Sequence, residues 1–199
     1  MKTTIRQPKQ ERAIEKKKKI IDAGYKLFSE QGYFGCTTPE IAKMAGVSTG
    51  IVYGYFNDKH DILLCVLDIY IKEVSAPLME IAKNMSAPVD VEKFVKNILD
   101  MTIETHKSHA KLHETLHSLS ASDKDVGARF LELENHVTKN LSEKLPELGV
   151  KTQNCAEKVH LSMNLIQSFA HEYVFDHHPY IDYEIMYEIV LSTIVNMFR

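Results

Sequence analysis

The chain has 199 residues, of which 44% are hydrophobic and 26% charged, a balance typical of a globular protein that excludes a disordered or fibrous chain. It lacks both an apolar run of about 18 residues and the apolar stretch of a signal peptide, so we expect neither a membrane-spanning helix nor secretion. The three cysteines are widely spaced and fit no zinc pattern or disulfide framework, which favours a reducing cytoplasm.

Charge is unevenly distributed along the chain. Residues 1–60 contain 11 Lys and Arg against 6 Asp and Glu, whereas residues 61–199 contain 13 against 21. A basic first third on an acidic remainder favours a polyanion as the partner of the first third alone. The four lysines at 16–19 supply most of this excess, and the alternative is that they form a solvated helix face.

The first third predicts four helices joined by short breaks. Apolar residues at helical spacing predict a first helix over about 10–31 that ends at Gly32. A capping box and a proline in the first turn predict a short helix over about 38–45, and Gly46 supplies the turn that follows. A serine or threonine then caps a helix that reaches about residue 56, and a long helix begins near residue 59.

The remaining chain also follows a helical period, and nowhere does it show the alternation of a β-strand. The long helix extends into the 70s or early 80s, and five further helices are predicted over about 89–106, 108–120, 124–145, 153–176 and 182–198. The last of these is apolar around almost its whole circumference, which predicts burial on more than one side. The fold class is therefore all-α, with about nine helices.

Two short helices joined by a glycine turn and braced by a third helix are the helix-turn-helix plan of DNA-binding proteins. In the segment "GVSTGIVYGYF", Val52 and Phe56 lie four residues apart and can pack on the neighbouring helices. Tyr53 and Tyr55 then fall on other faces, where their hydroxyls can reach phosphates. The alternative is that all three aromatic side chains belong to the core of a small domain.

The segment "TTPEIAKMAGVSTGIVYGYFNDKHDIL" resembles the helix-turn-helix signature of the TetR/AcrR family of bacterial transcriptional regulators. The family pattern is T-[TS]-x-x-I-A-x-x-A-G-V-S-x-G-x-[LIV]-Y-x-[YH]-F-x-x-K-x-x-L, and nearly every fixed position is met. The resemblance extends back through "IIDAGYKLFSEQGYFGCT". It implies a DNA-binding domain over 14–74, with its motif at about 37–56, and a ligand-binding and dimerisation domain over 75–199.

The resemblance also implies a function. Members of this family are homodimers that pair through their last two helices, here about 153–176 and 182–198. Most are repressors that a small molecule releases from a palindromic operator, so the expected partners are double-stranded DNA, an effector and a second copy. An activator, or a regulator without an effector, remains an alternative.

Carried over residue by residue, the family pattern gives nine candidate DNA-binding positions. They are Thr37, Thr38, Ser48, Thr49, Gly50, Ile51, Tyr53, Tyr55 and Lys59. Thr38, Tyr53, Tyr55 and Lys59 match phosphate contacts, and residues 48–51 match the base-facing start of the recognition helix. The sequence departs from many relatives at Pro39 and Gly54, where longer polar side chains often stand. It has no Arg, Asn or Gln between 44 and 56, so we expect specificity to depend on methyl contacts, on DNA shape and on the basic arm before residue 20.

A stripe of four histidines, His106, His109, His113 and His117, raises an alternative trigger. Two histidines four residues apart on one helix can share a metal, so a metal- or haem-sensing regulator is the second hypothesis. A new helix capped by Ser108 would break the stripe, and lining of a polar pocket or plain packing are the competing interpretations. We expect no metal and no cofactor.

The effector pocket is predicted only in outline. The candidate lining residues are Phe94, Met101, His109, His113, Leu116, Phe130, Met163, Phe169 and Tyr173, and each could equally belong to the core. Their character favours a largely apolar effector. No Ser-His-Asp set, phosphate loop, dinucleotide glycine pattern or H-E-x-x-H motif occurs, so we predict no catalytic residues and no enzyme.

Overall fold

A computed structural model of the protein describes residues 9–199, and over that range all of its regular secondary structure is helical. They are α1 (Lys9–Gln31), α2 (Thr38–Met44), α3 (Thr49–Tyr53), α4 (Lys59–Asn84), α5 (Val91–Ser108), α6 (Ala110–Ser120), α7 (Lys124–Glu147), α8 (Cys155–Phe175) and α9 (Tyr183–Met197). The all-α prediction is confirmed, and each predicted helix is present. Across residues 9–199, no helix combines the length and the apolarity that crossing a bilayer requires.

The chain divides into two compact units. Within the described part of the chain, the first comprises residues 9–70 and 111–126, and the second comprises 71–110 and 127–199. The break after Tyr70 lies close to the domain boundary expected at residue 74. The segment 111–126 returns to the first unit, which a division along the sequence does not anticipate.

In the first unit, turn chemistry fixes the ends of the short helices. Gly32 and Gly46 have φ angles of +76° and +69°, which a residue with a Cβ adopts at a cost, so glycine ends α1 and forms the turn between α2 and α3. Thr37 caps α2 through the predicted capping box with Glu40. Ser48 caps α3, because its Oγ accepts a hydrogen bond from the backbone N–H of Ile51.

The core of the first unit is formed by apolar residues of α1, α2, α3, α4 and α6. Fully buried examples are Ile20, Phe28, Ile41, Val52, Ile62, Leu63, Leu67, Leu112 and Leu116. On α1 the backbone of Gly24 approaches α4 so closely that a Cβ would lie 2.6 Å from the Cγ2 of Ile62. On α6 the buried Nδ1 of His113 lies 2.5 Å from the hydroxyl of Tyr70.

In the second unit, α5, α8 and α9 pack together around one apolar cluster. Its most buried members include Leu99, Phe169, Ala170 and Ile194. A smaller cluster of Leu145, Val150 and Val159 lies at the end of α7. The inner face of α9 is buried in this way, whereas Ile185 and Ile189 on the same helix are exposed.

The histidine stripe does not lie on one helix. The first helix of the pair, α5, ends at Ser108, His109 is its C-cap, and α6 begins at Ala110. The four histidines therefore do not share the continuous helix that the hypothesis of a metal site along the stripe assumes. His113 and His117 remain together on α6, with ring centroids 4.0 Å apart.

Candidate nucleic-acid interface

Along the recognition helix and the residues directly after it, the spacing correctly predicts which side chains are buried and which are exposed. Val52 and Phe56 are buried, whereas Tyr53 is 55% exposed and Tyr55 is partly exposed. The start of the helix is also open to solvent, since Ser48 and Gly50 are exposed and Thr49 and Ile51 are partly so. The aromatic cluster therefore has two roles: Phe56 anchors the segment, and the tyrosines remain available to a partner.

Two threonines at the start of α2 are less available than expected. The Thr37 hydroxyl donates to the Glu40 carboxylate over 2.7 Å, and the Thr37 backbone N–H donates to the same oxygen over 2.7 Å. These two bonds, the side-chain one being the larger cause, lower the pKa of Glu40. Thr38 is only 8% exposed. The expected role of Thr38 as a phosphate contact therefore stays a prediction, and little of the residue is exposed to make that contact.

Lys59 already has partners within the protein. Its Nζ donates to the backbone carbonyls of Tyr33 and Cys36, each over 2.7 Å, and lies 4.2 Å from the centroid of the Tyr33 ring. Burial raises the pKa of the Cys36 thiol, and the charge of Lys59 partly opposes that rise. In this structure the ammonium group is directed at the loop between α1 and α2 and away from bulk solvent.

The lysine run at 16–19 lies on α1 and is largely satisfied by neighbours on the same unit. Lys18 pairs with Asp22 over 2.6 Å and Lys19 pairs with Glu15 over 3.0 Å, both at helical spacing. The Nζ of Lys17 lies 5.5 Å from the ring centroid of Phe56. These exposed pairs are each worth less than about 1 kcal/mol, so the lysines remain free to exchange a carboxylate for a phosphate. Residues 1–8 of the expected basic arm lie outside the described residues.

One polar contact of the first unit has no signal in the sequence. The Nε2 of His60, the second residue of α4, lies 2.7 Å from the Oδ2 of Asp123. Asp123 also accepts the backbone N–H groups of Asp125 and Val126 at the start of α7. The Val126 bond, followed by the contact with His60, lowers the pKa of Asp123. The partners are 63 positions apart, so no spacing rule could have joined them.

The second unit contains a small cavity with an apolar lining. It has a volume of about 60 Å³ and is bordered by α4, α5, α7, α8 and α9. Two predicted pocket residues, Phe94 and Met163, line it together with Leu78, Val137 and other aliphatic side chains. The one hydroxyl in the lining belongs to Ser162, and it donates to the carbonyl of Lys158 on its own helix.

The other predicted pocket residues are dispersed. Tyr173 lines an open groove that also carries Asp100, Glu104, Glu184 and Glu188. Phe169 lies in the apolar cluster of the second unit. His113 and Leu116 belong to the first unit and are buried there, and Met101, His109 and Phe130 are partly buried. The nine residues therefore do not form one lining set, and the prediction missed most of the aliphatic residues that line the cavity, which come from all five of its helices.

The N-terminal part of the chain matches known regulators. Residues 20–66 match the profile of the family described as bacterial regulatory proteins, tetR family. The regulator HbdR of Aromatoleum sp. (strain CIB) is 52% identical over 64 residues, which cover 30% of this chain and 28% of HbdR. The match to this curated relative thus spans well under half of its length.

The whole fold also resembles solved structures. A protein of Mesorhizobium loti MAFF303099 described as a TetR-family transcriptional regulator superposes with a TM-score of 0.73 at 18% identity, covering 94% of this chain and 96% of that one. FadR of Bacillus subtilis, solved in complex with stearoyl-CoA, gives a TM-score of 0.63 at 18% identity, covering 92% of this chain and 100% of that one. At these identities the likeness concerns the fold alone.

Proposed function

On the match of residues 20–66 to the profile of the bacterial regulatory proteins of the tetR family, we propose that the whole chain is a DNA-binding transcriptional regulator of that family. It acts in the cytoplasm as a repressor. As a homodimer it binds a palindromic operator, and a small, largely apolar molecule releases it.

The observation that carries this proposal is the arrangement of α3. A capped helix with its first residues open to solvent, held in place by the buried Val52 within it and the buried Phe56 shortly after it, is what insertion into a major groove requires. Residues 48–51 then face the bases, and Tyr53 and Tyr55 face phosphates. Because Thr37 is engaged in its cap and Thr38 is buried, we assign them a role in shaping the start of α2.

The exposed apolar residues of the last two helices support a dimer. Leu161 on α8 and Ile185 and Ile189 on α9 are all more than half exposed in the single chain. Ile185 and Ile189 are four residues apart and so lie on one face of α9. Pairing of this face with a second copy removes it from water and gives the two recognition helices that a palindrome needs.

The cavity of the second unit supports an apolar effector. Its side chains are almost entirely aliphatic or aromatic, and its single hydroxyl is already bonded to a carbonyl. FadR of Bacillus subtilis, which has the same fold, was solved with stearoyl-CoA, a ligand with a long apolar chain. We therefore propose that the effector presents a hydrocarbon or aromatic portion to this cavity.

The size of the cavity indicates how such an effector would act. About 60 Å³ is much smaller than the roughly 300–1,000 Å³ that drug-sized ligands occupy, so binding has to move the lining helices apart. One lining residue, Leu78, is on α4 directly after Pro77, which removes a backbone hydrogen bond within the helix. The helix begins at Lys59, beside the helix-turn-helix motif, so a shift of α4 changes the separation of the paired recognition helices.

The proposal is tested by mobility-shift titrations on DNA from the region upstream of the protein's own gene, at two salt concentrations. We expect a sequence-specific shift whose affinity falls steeply with salt. An affinity that is equal for specific and scrambled DNA would contradict a regulator of that operator. A genome-wide selection of bound fragments with the same protein then decides whether any specific site exists.

The role of Tyr53 has a matched control in the same chain. Replacing Tyr53 by Phe removes one exposed hydroxyl, and loss of a hydrogen bond to a charged phosphate corresponds to about a tenfold weaker affinity on all DNA sequences. Tyr180→Phe removes a hydroxyl from a side chain that is 82% exposed but lies in the loop before α9. Equal affinities for both variants and the unmodified protein would remove Tyr53 from the interface.

A further inference from the structure

Asp123 lies where three helices of the first unit meet. Its backbone N–H donates to the carbonyl of Leu119 over 2.8 Å, at the end of α6. Its Oδ1 accepts the backbone N–H groups of Asp125 and Val126, which caps the start of α7. Its Oδ2 remains for a partner outside these two helices, and that partner is His60 in the first turn of α4.

The contact between His60 and Asp123 is less accessible to water than the other ion pairs of the first unit. The Nε2 and Oδ2 atoms lie 2.7 Å apart, and the two side chains are 28% and 22% exposed. The side chains of the lysine pairs on α1 are more than half exposed. Water therefore screens the His60–Asp123 contact less, and the cap holds the carboxylate in place for it.

Two continuous helices lead from this contact to the apolar cavity of the second unit. Directly after Asp123, α7 begins, and it runs without a break through Gly127, where the chain enters the second unit. Val137 and Leu141 on this helix line the cavity, and α4 reaches the cavity through Leu78. A molecule that enlarges the cavity therefore displaces α4, α7 or both, and the starts of these helices are joined by the contact.

The first turn of α4 is also tied to the recognition segment. Two residues, Asn57 and Asp58, separate α4 from Phe56, whose buried ring anchors that segment. The backbone N–H of Asn57 donates to the carboxylate of Asp61 over 2.8 Å, and the N–H of Asp61 donates to Asp58 over 3.0 Å. Because this connection is short and hydrogen-bonded in both directions, a displacement of the first turn of α4 also displaces Phe56.

We infer that the His60–Asp123 contact couples α7 to the helix-turn-helix motif, so that a displacement of α7 at the cavity changes DNA affinity only while this contact is intact. The inference rests on the proposed function and identifies two positioning residues in the response to the effector. A response carried by α4 alone would not need either residue, so the two routes can be separated by substitution.

Substitutions can remove the contact without removing the helix cap. Asp123→Ser retains an N-cap for α7, because serine caps a helix about as well as aspartate, but its hydroxyl is too short to reach His60. His60→Ala removes the other half of the contact and leaves the cap unchanged. Lys144→Gln provides the control, because it removes an exposed ion pair with Glu147 on the same α7 helix.

A larger side chain in the cavity can replace the unidentified effector. Val137 is 3% exposed, so the two rings of Val137→Trp cannot turn to solvent and have to enter a space of about 60 Å³. Overpacking of this kind moves the backbone, here that of α7. Leu141→Trp, one turn further along α7, serves if circular dichroism shows that the first variant does not fold.

The first experiment is a double-mutant cycle on the affinity for a specific DNA site. We expect Val137→Trp to weaken binding about tenfold in the unmodified protein and in Lys144→Gln, but less than about threefold in Asp123→Ser and in His60→Ala. Equal weakening in all four backgrounds would overturn the inference. No weakening in the unmodified protein would overturn it too, because α7 would then not transmit a displacement.

The second experiment needs no DNA, so it separates the inference from the proposed function. Amide hydrogen exchange of the buried Ile62 and Leu63 in the first turns of α4 should become several-fold faster on Val137→Trp, but not when Asp123→Ser or His60→Ala is also present. If the protein bound no DNA specifically, the proposed function would fail and these rates would still test the coupling. Rates that rise equally with and without the contact would reject the coupling even for a protein that binds its operator normally.

Discussion

Replacing Ile189 by Ser tests the proposed dimer face where the structure allows a magnitude to be calculated. The side chain of Ile189 is 58% exposed in the single chain, and full burial of an isoleucine stabilises by about 1.5–3 kcal/mol. Burial of the exposed part alone therefore contributes about 0.9–1.7 kcal/mol per copy. A two-fold interface contains Ile189 from both copies, so its replacement costs about 2–3.5 kcal/mol of dimerisation free energy. The dissociation constant of the dimer should then rise roughly 30- to 300-fold.

The assay is sedimentation velocity over a concentration series, with the dissociation constant fitted for each variant. Leu131 provides the matched control, because it is 57% exposed but lies on α7, outside the last two helices. Leu131→Ser should leave the dissociation constant unchanged. Urea denaturation of both variants at a concentration below the dissociation constant checks that each single chain remains folded.

Two results would refute the reasoning about this face. One is an Ile189→Ser variant that dimerises as tightly as the unmodified protein. The other is a Leu131→Ser variant that weakens the dimer equally, since the contact would then not be specific to α9. If the unmodified protein remained monomeric at every concentration, the proposed dimer would be rejected, because Ile185 and Ile189 would then stay exposed.

Two further predictions concern the stability of each unit. Gly24→Ala places a Cβ 2.6 Å from the Cγ2 of Ile62. Overpacking costs about 1–3 kcal/mol, which exceeds the gain in helix propensity of about 1 kcal/mol, so urea denaturation should show a free energy of unfolding lower by about 1 kcal/mol. A variant more stable than the unmodified protein would contradict this packing. Burial lowers the pKa of His106 in the folded chain below its unfolded value, so its contribution to stability is fully present above about pH 6.5 and is lost as the pH falls further, through the lower folded-state pKa. Thermal melts of the unmodified protein should therefore fall more steeply on acidification than those of His106→Gln, and parallel curves would exclude His106 as the source.

Much of the fold could be predicted because local chemistry determines the ends of the helices. Gly32, the Thr37–Glu40 pair and Ser48 each act within a few residues of their own position; the first two assignments are confirmed, and of the two caps that the sequence offers for α3 the structure has Ser48. The separation of Val52 and Phe56 from Tyr53 follows from the 3.6-residue period alone. The break between α5 and α6 is present, but the predicted cap is wrong: Ser108 is the last residue of α5, and its hydroxyl donates to carbonyls of that same helix.

The details of the site could not be predicted in the same way, because they depend on residues that are distant in sequence. The Nζ of Lys59 donates to backbone carbonyls 26 and 23 residues earlier in the chain. Every residue has a backbone carbonyl, so no side-chain pattern in the sequence identifies these two as partners. The burial of Thr38 likewise depends on how α2 packs on α1. A family pattern gives the position of a residue, but the contact that the residue makes is a property of the folded chain.

These contacts bear on how the protein selects its DNA. Within α3 the hydroxyl of Ser48 caps the helix, and no Arg, Asn or Gln is present to read a base through two hydrogen bonds. The direct contacts that we propose for Thr49 and Ile51 are small, and they depend on a close approach to thymine methyl groups. Discrimination by such short-range contacts and by DNA shape falls off when the helix is displaced by a fraction of a helical turn. A regulator with this recognition helix therefore needs the orientation of that helix to be fixed from within the protein.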